Sequence, residues 1–376
     1  MSNLIKSIIA IVVIVLIIIG FWYYGSKPAV PVTTGPIKVG FIGPLTGSGA
    51  AWGIEKKNTL ELAKDEINKA GGIGGRQLEI IYEDGKCDGK ESATAAQKLI
   101  NIDKVKILTP SCSSETLAVA PIAEKNKVLV LAVWPTNSKI SEAGDYIFRV
   151  CYSDADTSKI MASAIGSKYK SIGILTEQTD YATGLSDLFK KYYQGKIYEE
   201  QFPQESRDVR TQLTKILSSK PEAVFLNPDQ VATGLEALKQ LKNLGFKGQI
   251  YGNFFGGGEE IIKSPYAQNM IFFADPSVSD SPAKKELLDK YFALYGKKPD
   301  FEYAVAATYD SINILKQAIT KVGDDPTKIK DYLYTVKYFN GLLGTYGFDQ
   351  NGDLTGSQPA AKQIINGQVV DYVIKN

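Results

Sequence analysis

Ile107-Leu108-Thr109-Pro110-Ser111-Cys112-Ser113-Ser114-Glu115-Thr116 is the stretch on which the reading of this 376-residue chain turns. The apolar run 105–108 reads as a buried strand. It empties into four hydroxyls, Thr109, Ser111, Ser113 and Ser114, just before a helix-like stretch over 115–126. Ser and Thr at such a boundary cap a helix N-terminus. Free backbone N–H groups and the positive helix end make that place a seat for a carboxylate or another small anion. The chain has no histidine, and no general base lies near. The segment is suited to holding an anion rather than reacting with it.

The same order of strand, turn and helix repeats outward from this point. Apolar runs at 37–42, 78–82, 105–108, 128–132, 171–175, 223–226 and 249–251 alternate with amphipathic stretches at 59–69, 94–102, 185–193, 209–217 and 235–244. Such alternation predicts an α/β fold with two doubly wound, mostly parallel sheets. Ligands of such sheets sit at the carboxyl ends of the strands, where the hydroxyl cluster lies. Helices dominate later, at 283–295, 303–322 and 329–336, and 342–376 reads as short strands with turns. Two lobes joined by more than one crossing are expected, 37–151 with 276–340 and 152–275 with 341–376.

Composition is that of an ordinary globular chain, 44% hydrophobic and 22% charged. Forty-three basic residues against 41 acidic ones leave a net charge of +2, without a basic stripe interleaved with aromatics. No nucleic-acid partner is expected. The N-terminus differs: residues 7–26 hold no charge, lie between Lys6 and Lys27, and are almost purely branched aliphatic over 8–19. About 20 apolar residues cross a bilayer as a helix. Phe21-Trp22-Tyr23-Tyr24 fits an aromatic belt at the far interface. A cleaved secretory signal is the alternative, and it wants a shorter apolar core and an Ala-x-Ala-like site. Residues 1–36 are thus an anchor or signal with its linker. The favoured reading is a transmembrane helix over 4–24 that tethers the rest outside the cytoplasm. Residues 27–36, with three prolines, make a short stiff tether.

Several motifs resolve into turns. Gly43 to Gly53 follows the first strand and contains Gly47-x-Gly49, but Trp52 stands where a dinucleotide fingerprint needs glycine. A tight loop presenting Trp52 into a cleft fits better. Gly71-Gly72-Ile73-Gly74-Gly75 reads as a helix stop. Asp349-x-Asn351-x-Asp353 opens like a calcium loop, but Leu354 takes the place of the required glycine, so an Asn-Gly turn is the reading. Cysteine-histidine metal spacing and a Ser-His-Asp arrangement are both excluded without histidine. Of the three cysteines, Cys151 sits in an apolar run and reads as a buried thiol. A disulfide is open to an exported chain. Three other places stand at strand ends. In Trp134-Pro135-Thr136-Asn137, Thr136 can donate to a carboxylate beside Ser113, or the segment is a plain proline turn. Tyr181 can reach a ligand from the second lobe or sit in its core. Phe254 and Phe255, beside Gly256-Gly257-Gly258, suit a closing cleft or core packing.

Taken together these residues resemble the leucine/isoleucine/valine-binding proteins of ABC transporters, the type I periplasmic binding-protein family. The resemblance runs over 37–372 and rests on the order of Ile42-Gly43-Pro44-Leu45-Thr46-Gly47, Trp52-Gly53, Asp65-Glu66-Ile67-Asn68, Tyr82-Glu83-Asp84-Gly85-Lys86-Cys87-Asp88, Cys112-Ser113-Ser114, Pro135-Thr136-Asn137, Ala307-Thr308-Tyr309-Asp310-Ser311 and Phe348-Asp349-Gln350-Asn351-Gly352-Asp353. It implies two lobes closing like a hinged trap. Ser113, with Ser114 beside it, and Thr136 would hold a ligand carboxylate. Trp52 would pack on the ligand's side chain, and Tyr181 would close from the other lobe. Cys87 and Cys112 would form a disulfide.

The chain departs from the family at two places. After the strand ending in Tyr251-Gly252, family members carry an acid that pairs with the ligand's ammonium; here Asn253-Phe254-Phe255 stands. Two residues before Thr136, Trp134 replaces a small residue. An unpaired buried ammonium is costly. A rebuilt pocket around Trp134 and Phe254 then suits an apolar or aromatic carboxylate, or an amide. Otherwise Glu259, Asp229 or Asp180 serves the ammonium. The implied role is capture of a small ligand by an extracytoplasmic solute-binding protein, a monomer without cofactor or chemistry of its own, for delivery to an ABC permease. A receptor ectodomain working with a signalling partner is the alternative.

Overall fold

The structure, a computed structural model, describes residue 15, residues 35–276, 278 and 280–374. The membrane helix expected over 4–24 lies outside the described residues except for Val15. No helix among the described residues is long and apolar enough to cross a membrane.

The first sheet holds Ile37–Gly43 (β1), Leu78–Asp84 (β2), Ile107–Pro110 (β3), Leu129–Ala132 (β4) and Ile147–Arg149 (β5). All are parallel, in the order β2-β1-β3-β4-β5. β1, β3 and β4 are buried on both faces, as the centre of a parallel sheet requires. One face is covered by Ala50–Lys69 (α1), and the other by Gly89–Asn101 (α2) and Ser113–Asn126 (α3). The sheet is therefore wound on both sides.

Asp154–Gly166 (α4) begins the second half. Its sheet contains Ser171–Glu177 (β6), Lys196–Phe202 (β7), Ala223–Asn227 (β8), Gln249–Gly252 (β9) and Ile271–Ala274 (β10) as parallel strands. Asp180–Tyr192 (α5) joins α4 on one face, while Arg210–Ser218 (α6) and Val231–Asn243 (α7) cover the other. β7 escaped the sequence reading because it is an edge strand, KIYEEQF, with charged and half-exposed positions rather than an apolar run.

After β10 the chain forms Pro282–Tyr295, Glu302–Val322 and Pro326–Thr335, whose apolar faces join the core of the first sheet. The strands Phe339–Gly341 and Gly344–Tyr346 pair there as a small ribbon. Phe339, Leu342, Tyr346, Phe348 and Leu354 are buried in that same core. Residues 341–354 were expected with the second lobe, but these side chains pack with the first. Ala360–Ile365 and Gln368–Asp371 then extend the second sheet as antiparallel edge strands beside β10. The result is the α/β fold of two lobes.

Candidate functional site: a pocket where the two lobes meet

The first lobe builds its wall from three strand ends. After β1, the loop turns at Gly47 (φ 80°) and α1 begins. A Cβ on Gly53 would lie 1.9 Å from the Pro44 carbonyl oxygen, so glycine alone lets the helix pack on the loop. That approach sets Trp52 on the wall, where its indole N–H donates to Gln230 Oε1 at 3.3 Å. After β3, Cys112 is the N-cap of α3, and the Glu115 carboxylate accepts from the N–H groups of Ser111 and Cys112, both at 3.0 Å, and of Cys87 at 3.1 Å. The cap is therefore a cysteine, where the composition of the stretch pointed to Ser or Thr. Ser113 opens the helix, and its Oγ accepts from the Asn137 N–H at 3.2 Å.

After β4 comes Trp134, with φ 72°. A bulky side chain in the left-handed region is strained, and its surroundings must hold it there. Its indole N–H donates to Asp275 Oδ1 at 2.6 Å. Its ring packs against Trp52 at 5.9 Å, Phe254 at 5.1 Å and Phe301 at 5.4 Å between centroids. Thr136 follows, buried, with Oγ1 donating to Asp154 Oδ2 at 2.9 Å.

The second lobe contributes Tyr181 from the start of α5, Asp229 from the end of β8, and Phe254 from the short turn Phe254–Gly257 after β9. The Tyr181 and Phe254 rings meet at 5.3 Å. Between the two walls lies a small cavity, and Trp52, Ser113, Trp134, Thr136, Tyr181 and Phe254 all line it. Six of the expected site residues are thus brought together. Ser114 is not: it lines a neighbouring cleft, with its Oγ accepting from the Asp180 N–H at 3.4 Å.

Charged groups crowd around this cavity, and Lys56, Asp154 and Asp275 among them had no signal in the sequence. Lys56 is fully buried in α1, where a solvated helix face was the natural reading. Its ammonium donates to the carbonyls of Ser111 at 2.9 Å and Val133 at 3.3 Å, and lies 4.4 and 4.8 Å from the Trp52 and Trp134 rings. It staples the ends of β3 and β4. Burial pushes the Lys56 pKa down and the Glu115 pKa up, with the attraction between them working the other way. Burial also raises Asp154 to about 7, against the Thr136 hydrogen bond and Arg149, and raises Asp275 to about 6. Asp229, the acid that lines the cavity, is raised to about 8 by burial and then by the charge of Glu177. The other two candidates for a ligand ammonium stand elsewhere: Glu259 is exposed and paired with Lys263, and Asp180 lines the neighbouring cleft.

Cys87 and Cys112 are joined as a disulfide, with Cα atoms 5.5 Å apart. Their sulfurs lie with Glu115 in one buried cluster, but the sulfurs are bonded to each other. Cys151 is a buried thiol whose Sγ donates to the Pro135 carbonyl at 3.1 Å.

Residues 36–367 match the periplasmic binding protein family. The chain is 28% identical over 329 residues to the leucine-, isoleucine-, valine-, threonine- and alanine-binding protein of Pseudomonas aeruginosa, a match spanning 85% of this chain and 87% of that one. Among solved structures it is similar to a leucine-binding protein of Thermotoga maritima, with a TM-score of 0.81 and 26% identity over 90% of this chain and 99% of that one. A branched-chain amino acid transporter substrate-binding protein of Streptococcus pneumoniae, solved in complex with isoleucine, is similar with a TM-score of 0.78 and 29% identity over 89% and 97% of the two chains. From its sheets, its interlobe pocket and these matches, the chain belongs to the periplasmic binding protein family.

Proposed function

We propose that this chain is the extracytoplasmic solute-binding component of an ABC transporter. It captures a small ligand, a branched-chain amino acid or a related apolar or aromatic carboxylate or amide, and hands it to a membrane permease. The observation that carries the reading is the two-sided pocket. Trp52, Ser113 and Trp134 come from one lobe, and Tyr181, Asp229 and Phe254 from the other. A ligand touching both walls favours the closed arrangement over an open one. Direct contacts between the walls already hold the closed form: Trp52 to Gln230, Ser48 to Glu205 and Asn137 to the Asp180 carbonyl.

In this reading the ligand carboxylate sits at the start of α3, with the Ser113 and Thr136 hydroxyls. Its apolar part packs against Trp52, Trp134 and Phe254, under Tyr181. Asp229 offers the buried charge that an α-ammonium needs, from β8 rather than from the end of β9, where Phe254 stands. The relatives named for leucine and isoleucine support an amino acid as ligand. The hinge runs between 37–151 with 276–354 on one side and 152–275 with 358–374 on the other. Residues 4–24 tether the protein to the membrane, a reading supported by the uncharged, apolar run that begins at Ser7.

A thermal-shift screen tests the proposal. A ligand at about 100 times its dissociation constant adds about 2.7 kcal/mol to the native state. Leucine, isoleucine and valine, their des-amino acids and their amides form the panel. A rise in melting temperature with leucine or isoleucine supports the amino acid reading. A rise only with amine-free carboxylates narrows it to the aromatic-walled alternative. No rise with any of them sinks it.

A further inference from the structure

Thr136 has one hydroxyl hydrogen, and it is already committed. Oγ1 donates to Asp154 Oδ2 at 2.9 Å, with both side chains buried. The proposed function asks the same hydroxyl to donate to a ligand carboxylate. One hydrogen cannot serve two carboxylates. One arrangement keeps Thr136 as a donor: a proton on Asp154. The protonated acid then donates to Thr136 Oγ1, the hydroxyl hydrogen turns into the cavity, and the chain of bonds ends on the ligand. We propose that Asp154 is a positioning residue for the pocket, and that capture of a carboxylate at Thr136 draws one proton from solvent onto Asp154. The inference rests on the proposed function, since it needs a carboxylate beside Thr136.

The surroundings suit a group poised between its two states. Asp154 stands in the first turn of α4, whose N-terminus favours the anion. Arg149 faces it from β5 and also favours the anion, but Arg149 is itself paired with Asp353. Asp275 acts against the charge, and Asp154 in turn helps hold the nearby Tyr152 and Tyr181 hydroxyls and the Cys151 thiol in their neutral forms. Burial outweighs the favourable partners, and Asp154 titrates at about 7. A ligand carboxylate adds another negative charge and pushes the same way. Below about pH 7 the acid already holds its proton, and affinity is flat with pH. Above that, each ligand bound must bring a proton with it. Affinity then falls up to about tenfold per pH unit.

The test is calorimetric titration of the full chain with L-leucine and with 4-methylpentanoate, from pH 6 to 8.5, in two buffers of different ionisation enthalpy. The difference between buffers counts the protons taken up on binding. Asp154→Asn is the informative variant, because its carboxamide N–H₂ donates to Thr136 permanently and cannot titrate. The expected result is a wild-type count about one proton higher than that of D154N at pH 8, and a D154N affinity that stays flat across the range. Taking the difference removes any proton moved by Asp229. If D154N does not fold, Thr136→Val replaces it, since loss of the hydroxyl removes the same linkage. Equal proton counts and equal pH slopes in wild type and variant overturn the inference while leaving the carboxylate pocket intact. Failure of both probes to bind overturns the inference together with the carboxylate reading beneath it.

Discussion

Arg149 and Asp353 stand 204 residues apart in the chain and meet in an ion pair, Nε to Oδ1 at 2.7 Å. The guanidinium, fully buried, spends its other donors on the Thr136 and Asn137 carbonyls at 3.1 and 2.9 Å and on Ser141 Oγ at 2.8 Å. The planar fork of arginine thereby ties the turn at 349–353 to the loop that carries Thr136. Removing the carboxylate leaves a buried cation without its partner. Asp353→Ala is expected to cost about 3 kcal/mol in urea unfolding. Arg149→Lys should cost a similar amount, because a lysine cannot reach all four acceptors. A denaturation midpoint equal to wild type in both variants would show that the pair does not hold this loop and turn together.

The Cys87–Cys112 bridge closes a loop of sequence separation 25 that contains β3's approach and α2. Loop-closure entropy gives such a bridge about 3 kcal/mol of stability. The bridge also holds the Cys87 N–H against Glu115, which caps the helix that Ser113 opens. Cys87→Ser with Cys112→Ser is therefore expected to lower the melting temperature and to weaken ligand binding as well. Loss of stability with unchanged affinity would separate the bridge from the pocket.

Lys56 and Glu115 give a prediction in pH. Burial pushes Glu115 up and Lys56 down, so in acid the carboxyl is neutral beside the ammonium, and near neutrality the two share a proton, so that Glu115 ionises beside a cation. Lys56→Met removes that ammonium. Its cost in stability should therefore be greater at pH 8 than at pH 5, and Glu115→Gln in the same chain should relieve the excess at pH 8. Calorimetric unfolding at the two pH values checks both statements. A cost independent of pH would mean that the lysine acts only by packing between Trp52 and Trp134.

Much of this pocket is written in local signals. A strand that ends in hydroxyls before a helix marks Ser113. A glycine loop with one tryptophan marks Trp52. A proline turn at a strand end marks Thr136. Tyr181 and Phe254 likewise lie at strand ends, where the topology of a parallel sheet gathers side chains from distant parts of the chain. The missing members share a different property. Lys56, Asp154 and Arg149 are buried charges and Asp275 a half-buried one, which the usual link between charge and exposure hides. Each is stabilised by a partner far along the chain, as Arg149 is by Asp353, so no local window contains the reason for its burial. The turn at 349–353 shows the same limit. Asp349 caps it as an Asn-Gly turn should, accepting from the Asn351 and Asp353 N–H groups at 2.8 and 3.0 Å, but nothing local says that Asp353 faces Arg149.

Asp229 links stability and specificity in one residue. Its carboxyl lines the cavity, and its pKa of about 8 lies far above the ordinary value of 3.8. A group whose folded value is raised contributes stability that is fully present below the unfolded value and lost as pH rises through the folded one. The ligand-free protein should therefore become less stable from about pH 4 to pH 8, and Asp229→Asn should remove part of that loss. The variant is expected to melt higher than wild type at pH 8 and close to it at pH 4. With ligand the sign reverses, because an ammonium in the cavity stabilises the ionised acid. Removing one partner of a buried charge pair costs at least about 2 kcal/mol of binding. D229N should thus weaken leucine relative to 4-methylpentanoate by a factor of about 30 or more, at the stated cost. Equal weakening of the two ligands would show that Asp229 does not meet the amine. The relocation of the family's acid from the end of β9 to the end of β8 would then be wrong.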